Sequence, residues 1–405
     1  MRRLPGGGSV VPGNHSDLLA GRRPATPPMV SVVIPYYDGQ HLLDLLLTAL
    51  TLQTHPPDRL EVIVADDGSP TPPDVGALDG RLPVTVVGQD NLGVRPAAAR
   101  NLGAHAATGD VLVFLDGDTV PTPGYVEAIS RLPALLPDAL VSGHRRHAAL
   151  TPMSVGLLRA WLTAATPGPT EIPGPQWLAD LYRRTGGLVA ADRRTYEGVI
   201  SAVLACATSL FDEIGGFDSS IDVYGGEDWE LAYRALNAGG VLAHAPHAHA
   251  WHDGPDWSGR QAGPDGEAKA RRQKAAETAM LAQRIPGIEP GGGPADVVLL
   301  IEQPGQGYPP DWAVRTTAPS GWDDELSRAR VQITVTGGAS PGVDVLTALA
   351  GRVGPGRPGR STLTGPGWTA VAEATAALRR SERWATDLPS PDLLADLFGA
   401  ELRHL

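Results

Sequence analysis

The chain has 405 residues, with 33 basic against 45 acidic side chains and a formal charge of -12. That length exceeds the roughly 250 residues at which one hydrophobic core stops growing, which predicts more than one domain, and the 42% hydrophobic content excludes wholesale disorder. A negative chain without a Lys/Arg-dense stripe is no nucleic-acid platform, and a lone cysteine, Cys206, excludes a disulfide scaffold or a thiolate metal cluster.

Residues 1–28 mix Gly, Pro and scattered charge without a hydrophobic period and predict a flexible N-terminal arm. The two early arginines are not followed by the apolar core of a secretory signal. No run, VISAVLACATSLF at 199–211 included, reaches the roughly 20 apolar residues of a bilayer crossing. The expectation is a cytoplasmic, soluble protein with no integral membrane segment. From Met29, MVSVVIP reads as a buried strand ending at Pro35. Leu42, Leu45, Leu46, Leu50 and Leu52 crowd one side of a helix over 41–54, which HPPD stops. LEVIVAD at 60–66 and LPVTVVG at 82–88 read as strands, AAARNLGAHAA as a helix and VLVFLD at 111–116 as a further strand. This alternation predicts an α/β fold with a mostly parallel central sheet flanked by helices and a ligand site beyond the strands' carboxyl ends.

The middle of the chain predicts a helix over 123–133, a strand over 139–143 and Pro-rich loops with one or two helices from 151 to 197. A short strand near 203–206 precedes SLFDEIGGF, a helix ended by its glycine pair. EDWELAYRALNAG is an amphipathic helix closed by Asn237 and Gly239; the strand VLAHA at 241–245 and a helix over 267–284 follow. The main domain is expected to span 29–284 and a linker 285–295. VVLLIE and VQITVTG belong to a smaller C-terminal α/β accessory domain over 296–405, for which an acceptor lid, a dimer surface and a packed appendage all stay open.

Three acidic pairs and a histidine run carry the candidate chemistry. In VLVFLDGDTVP a buried strand emerges into Asp116, Gly117 and Asp118, two carboxylates that suit magnesium or manganese, or else a plain Asp-Gly turn. Asp66 and Asp67 end LEVIVAD on the same edge, where one could accept from a base edge or ribose hydroxyl, or simply cap a helix. No GxGxxG or Walker A follows the first strand, which exits into PYYDGQH. Glu227 and Asp228 stand at a helix start: capping accounts for one of them, and a carboxylate beside a cleft could also take a proton from an acceptor hydroxyl. Trp229 offers either a sugar-stacking face or a core aromatic. In HAPHAHAWH, strand alternation places His247 and His249 on one side and His244 and His252 on the other, with one imidazole expected to join a metal.

Taken in order and spacing, SVVIPYYDG, EVIVADDGS, AAARNLG, VLVFLDGDTVP, GGFD at 215–218, EDWELAYR and His252 resemble the family-2 nucleotide-sugar glycosyltransferases of the GT-A fold, from about Val30 to His252. The resemblance implies nucleoside contacts at Pro35 and Asp67, with Asp38 and Arg100 as neighbours. It implies that Asp116 and Asp118 hold the diphosphate and a Mn2+ or Mg2+ ion, Asp118 more directly and with His252 beside it. It also implies that Asp228 is the general base of an inverting transfer. Glu227 and Trp229 are the expected acceptor contacts. The implied partners are a nucleotide-sugar donor, UDP-hexose first, and a hydroxylated small molecule, glycan or lipid-linked acceptor. The QxxRW segment and membrane helices of polymer-building members are missing, so transfer of a single sugar is expected. Two rivals stand beside this: a nucleotidyltransferase, whose basic Gly-rich loop PYYDGQH does not supply, and a catalytically inactive GT-A-like module for binding carbohydrate or nucleotide, which would be marked by loss of Asp118 or Asp228.

Overall fold

The structure, a computed structural model, describes residues 1–5, 7–76, 80–222, 225–256, 264–289, 293–317 and 321–404, the side chains of 264 and 265 aside. At its start two short strands, β1 (Arg2–Arg3) and β2 (Ser9–Val10), pair antiparallel. The first half of the main sheet follows the predicted rhythm: β3 (Val30–Tyr36), helix α1 (Gln40–Leu50), β4 (Leu60–Asp66), β5 (Val84–Gly88), helix α2 (Pro96–His105) and β6 (Val111–Leu115). These four strands are mutually parallel, in the order β5-β4-β3-β6. Pro96 opens α2 at a position where its missing amide costs nothing. At Gly103 an added Cβ would come within 2.4 Å of Val33 Cγ1, so glycine alone lets α2 lie this close to β3.

The second half runs through β7 (Thr119–Pro121), α3 (Tyr125–Leu135), β8 (Ala139–Ala148), α4 (Val155–Leu162), β9 (Glu171–Ile172) and α5 (Gln176–Thr185). It continues with β10 (Val203–Ala207), α6 (Thr208–Glu213), α7 (Glu227–Asn237), β11 (Val241–Asp253) and α8 (Pro264–Ala282). Here the expectation of a mostly parallel sheet needs correction: β10 lies antiparallel between β6 and β8, and β7 is antiparallel to β11, making a curled mixed sheet. β10 is buried along its whole length, and a strand apolar on both faces carries no periodic mark of its direction.

Residues 1–28, expected as a loose arm, are in good part packed. Val10, Val11 and Leu19 are fully buried. The Asn14 amide donates to Leu188 O at 2.6 Å and Leu242 O at 2.8 Å while accepting from Leu242 N at 2.9 Å, a side chain standing in for a missing ladder neighbour of β11. The expected linker begins inside the core, where Ile285 is buried, and its residues 290–292 lie outside the described ones.

The C-terminal unit is built from β12 (Val297–Ile301), β13 (Trp312–Arg315), α9 (Asp324–Arg328), β14 (Val331–Gly337) and α10 (Val343–Ala350). β15 (Arg360–Gly365), β16 (Trp368–Ala374), α11 (Thr375–Trp384), α12 (Leu393–Phe398) and β17 (Ala400–His404) complete it. Its six strands form their own sheet, β13-β12-β14-β16-β15-β17, over a separate apolar core. It docks on the end of α7, where Tyr233 Oη donates to Arg328 O at 2.6 Å and Asn237 Nδ2 to the same carbonyl at 3.0 Å. Arg380 is 2% exposed and its guanidinium reaches the carbonyls of Val11, Gly13, Gly239 and Gly240, tying the N-terminal segment and the α7–β11 turn to α11. Among the described residues no helix is long and apolar enough to cross a membrane.

Removing that guanidinium strands four carbonyls at once, three of them in buried hydrogen bonds. Arg380→Met should therefore lower unfolding stability by about 3 kcal/mol or more in a denaturant titration, and a loss below about 1 kcal/mol would show that the carbonyl cradle holds nothing together.

Candidate functional site

The parallel half of the sheet delivers its strand ends to one edge. There β3 ends at Pro35 and Tyr36, β4 at Asp66 and Asp67, and β6 runs into Asp116-Gly117-Asp118. The opposite wall is the start of α7. Gly225 and Gly226 both take φ near +90°, values of +92° and +90° that an L side chain rarely adopts, and so turn the chain abruptly into Glu227 and Asp228. Between these walls lies a cleft of about 810 Å³. Pro35, Asp67, Arg100, Asp116, Asp118, Glu227, Asp228, Trp229 and His252 all line it; Asp38 does not, although its neighbours Tyr37 and Gly39 do.

Arg100 forms the bridge of the site. It is 2% exposed; its Nη2 donates to Asp116 Oδ1 at 2.7 Å and its Nη1 to Glu227 Oε1 at 3.0 Å. The two carboxylates more than offset its burial and hold its pKa above the usual range, so its charge is permanent. Arg100 and Glu227 are thus engaged with each other in the wall of the cleft.

Asp67 is 7% exposed and its carboxylate is already met by Gln89 Nε2 at 2.7 Å and the Arg95 amide at 2.9 Å. Asp66 accepts from the amide and hydroxyl of Ser69, the turn-forming role open to a strand-end carboxylate. Asp38 is exposed, with φ +44°, and its amide donates to the same Ser69 hydroxyl at 3.0 Å.

Asp118 Oδ2 lies 3.2 Å from His252 Nε2, brought together by the antiparallel pairing of β7 with β11, in which His252 faces Thr119. His252 Nδ1 is 3.4 Å from Gly254 O; a proton donated there leaves the Nε2 lone pair directed at Asp118. Among the described residues no group of three or more His, Cys, Asp or Glu side chains converges as a metal cage. One carboxylate and one imidazole nonetheless fit a small divalent cation that takes its remaining ligands from water and phosphate. Asp116 contributes less to such a pair, because its Oδ1 is committed to Arg100.

Asp228 is half-buried in the cleft wall, and the Trp229 amide donates to its Oδ1 at 2.9 Å. Burial is the largest cause that pushes its pKa up, to about 7, and the Glu227 charge adds to it; Arg100 and the backbone at Trp229 and Ser201 oppose the rise. A carboxyl titrating near neutrality can both accept and hold a proton. Trp229 stands edge-on to Trp177, with ring centroids 6.1 Å apart, and carries Lys274 Nζ 4.8 Å from its ring centroid.

The histidines do not sort by strand alternation. A register shift in the β8–β11 pairing falls between His244 and His249, so both of their rings gather around His144, at 5.5 and 5.1 Å between centroids. His244 also stacks on Tyr182 at 3.7 Å, His247 is exposed, and His252 alone of the four reaches the aspartates. Arg145, Trp177, Gln273 and Lys274 also line the cleft, and no local motif marked them. They come from β8, α5 and α8, and only the folded chain brings them to α7.

Residues 31–151 match the family described as Glycosyl transferase family 2, and residues 190–252 match that described as the N-terminal domain of galactosyltransferase. The chain is 32% identical over 238 residues to a validoxylamine A glucosyltransferase of Streptomyces hygroscopicus subsp. limoneus, covering 53% of this chain and 49% of that protein. To the pre-mycofactocin glycosyltransferase of Mycobacterium tuberculosis it is 30% identical over 260 residues, covering 62% and 49%. A solved mannosyltransferase from Pyrobaculum calidifontis, in complex with GDP-Man and Mn2+, aligns over 64% of this chain and 65% of its own at 20% identity and a TM-score of 0.42, too distant to carry residue roles across. The chain spans about half the length of the curated relatives it matches, at 49% of each. Both matched segments fall on the strand ends, the α6–α7 region and His252, so over these residues the chain is similar to the family-2 glycosyltransferases.

Proposed function

We infer that the chain transfers a single sugar from a nucleotide-sugar, with UDP-hexose the donor implied by the resemblance, to a hydroxyl of a small metabolite, glycan or lipid-linked acceptor, with inversion. The observation that carries this reading is the pairing, across one cleft, of a strand-end Asp118–His252 dyad with a helix-start carboxyl whose pKa is raised to about 7. Asp118 and His252 would hold a Mn2+ or Mg2+ ion, which when bound supplies positive charge to the departing diphosphate. Asp228 takes the acceptor's proton as its oxygen attacks the anomeric carbon from the face opposite the diphosphate. Pro35 and Asp67, at the ends of β3 and β4, bound the nucleoside end. Trp229 and the half-exposed Trp177 make an aromatic corner on the acceptor side, a surface that suits the apolar face of a sugar ring.

Asp228→Asn should leave donor binding within about twofold and cut transfer by roughly 10²–10⁴. In the native protein kcat/KM should fall as pH drops through about 7, because the protonated carboxyl can no longer accept the acceptor's proton. Turnover by the variant, or a flat profile from pH 5 to 8, would remove Asp228 as base.

Calorimetry with UDP should show binding that strengthens at least about tenfold with manganese, and Asp118→Ala should abolish the gain. Equal affinity under all conditions would exclude the metal role, and a screen of UDP-, GDP- and dTDP-sugars with no nucleotide released by any of them, with or without acceptors, would favour a binding module. Trp177→Ala and Trp229→Ala should each raise acceptor KM about tenfold without changing nucleotide affinity, and an unchanged acceptor dependence would clear the corner of that role.

A further inference from the structure

Among the described residues three basic side chains line the cleft: Arg100, Arg145 and Lys274. Arg100 is met by Asp116 and Glu227, and Lys274 pairs with Glu277 at 2.8 Å. Arg145 differs. Its Nε is buried without a hydrogen-bond partner, and its guanidinium forms no ion pair with any described carboxylate.

The strand register explains how two adjacent arginines come to differ. Along β8, residues 144 and 146 face one side and 145 and 147 the other. Arg146 stacks over Trp251, 4.2 Å from its ring centroid, and pairs with Glu171. On the opposite face His147 stands across from His252, with rings 5.0 Å apart, and Arg145 stands across from Ala250. Arg145 is therefore two residues, or roughly 7 Å along the strand, from the position that faces His252 and Asp118. A guanidinium can span that gap. Arg145 is half-buried with its Nε shut off from water and from any partner, and a guanidinium's planar fork matches two oxygens of a phosphate. The geometry calls for an anion from outside the chain, at the diphosphate end of the cleft.

We propose that Arg145 clamps the β-phosphate of the donor and takes up the charge that appears there on transfer; this rests on the nucleotide-sugar reading above. As the acceptor oxygen forms its bond to the anomeric carbon, the bond from that carbon to the β-phosphate oxygen breaks. The electron pair stays on the phosphate, which gains one negative charge opposite Arg145, and the acceptor's proton passes to Asp228. The interaction strengthens as the bond breaks, so it lowers the barrier as well as holding the donor.

Calorimetry on the full chain with manganese, using UDP, GDP, dTDP and their monophosphates, tests this together with donor turnover. For the diphosphate that the native protein binds, Arg145→Gln should weaken affinity at least about tenfold, while the matching monophosphate changes less than about twofold. Turnover should fall roughly 10²–10³-fold, and Arg145→Lys should recover part of it because the charge returns without the fork. An unchanged thermal midpoint would accompany both variants. Native diphosphate binding with equal affinity in Arg145→Gln overturns the clamp and leaves the nucleotide-sugar reading standing. Equal losses for diphosphate and monophosphate also overturn it, by marking a general disturbance of the site. If the native protein binds none of the three diphosphates, the nucleotide-sugar reading falls and the clamp with it.

Discussion

A guanidinium sealed from water between two carboxylates cannot leave one of them without stranding a buried charge, at a cost of about 3–5 kcal/mol. Arg100 is in that position between Asp116 at the end of β6 and Glu227 at the start of α7. The pairing fixes the distance between the two walls of the cleft, and each partner has a residue of the proposed chemistry close by in sequence: Asp118 follows Asp116 by two positions and Asp228 follows Glu227 by one. The bridge also sets the electrostatics. Glu227 raises the carboxyl beside it and Arg100 lowers it, so the proton affinity of Asp228 is a balance struck by the same ion pairs that hold the walls together.

The far end of α7 is held just as firmly, by a different part of the chain. Tyr233 and Asn237 reach a carbonyl of α9, and Arg380 and Arg383 of α11 bind the carbonyls that close the helix and lead into β11. Gly239, at φ +84°, leaves no room for a side chain there, since an added Cβ would come within 2.8 Å of the Arg380 amide. The helix that carries Asp228 is thus pinned at its start by Arg100 and at its end by the C-terminal unit. That unit contributes to the site through the placement of α7, whatever else it binds.

Much of the first half was legible because buried parallel strands are continuous apolar runs and their crossover helices carry a visible stripe. The runs at Val30, Leu60 and Val111 each became strands, the latter two running into acidic pairs, and these pairs met at one edge as expected of parallel neighbours. The histidines were harder to place. Strict alternation requires an unbroken ladder, and the register shift between His244 and His249 put those two together and left His252 for the aspartates. Arg100 and Glu227 read as ligand contacts because their identities suit binding; only the fold shows that they are also hydrogen-bonded to each other, at 3.0 Å. The N-terminal arm looked loose because one buried asparagine and four buried aliphatic residues form no period.

Composition, strand patterning and motif order in the amino-acid sequence were enough to determine an α/β architecture, the acidic strand ends and a resemblance to the family-2 glycosyltransferases, because these depend on local periodicity and short spacings. The tertiary structure alone decided the direction of β10, which arginine of the adjacent pair Arg145 and Arg146 enters the cleft, which histidine joins Asp118, and how strongly Asp228 holds its proton. Those properties depend on strand register, burial and charges distant in sequence, and a chain acquires them only when its segments pack against one another.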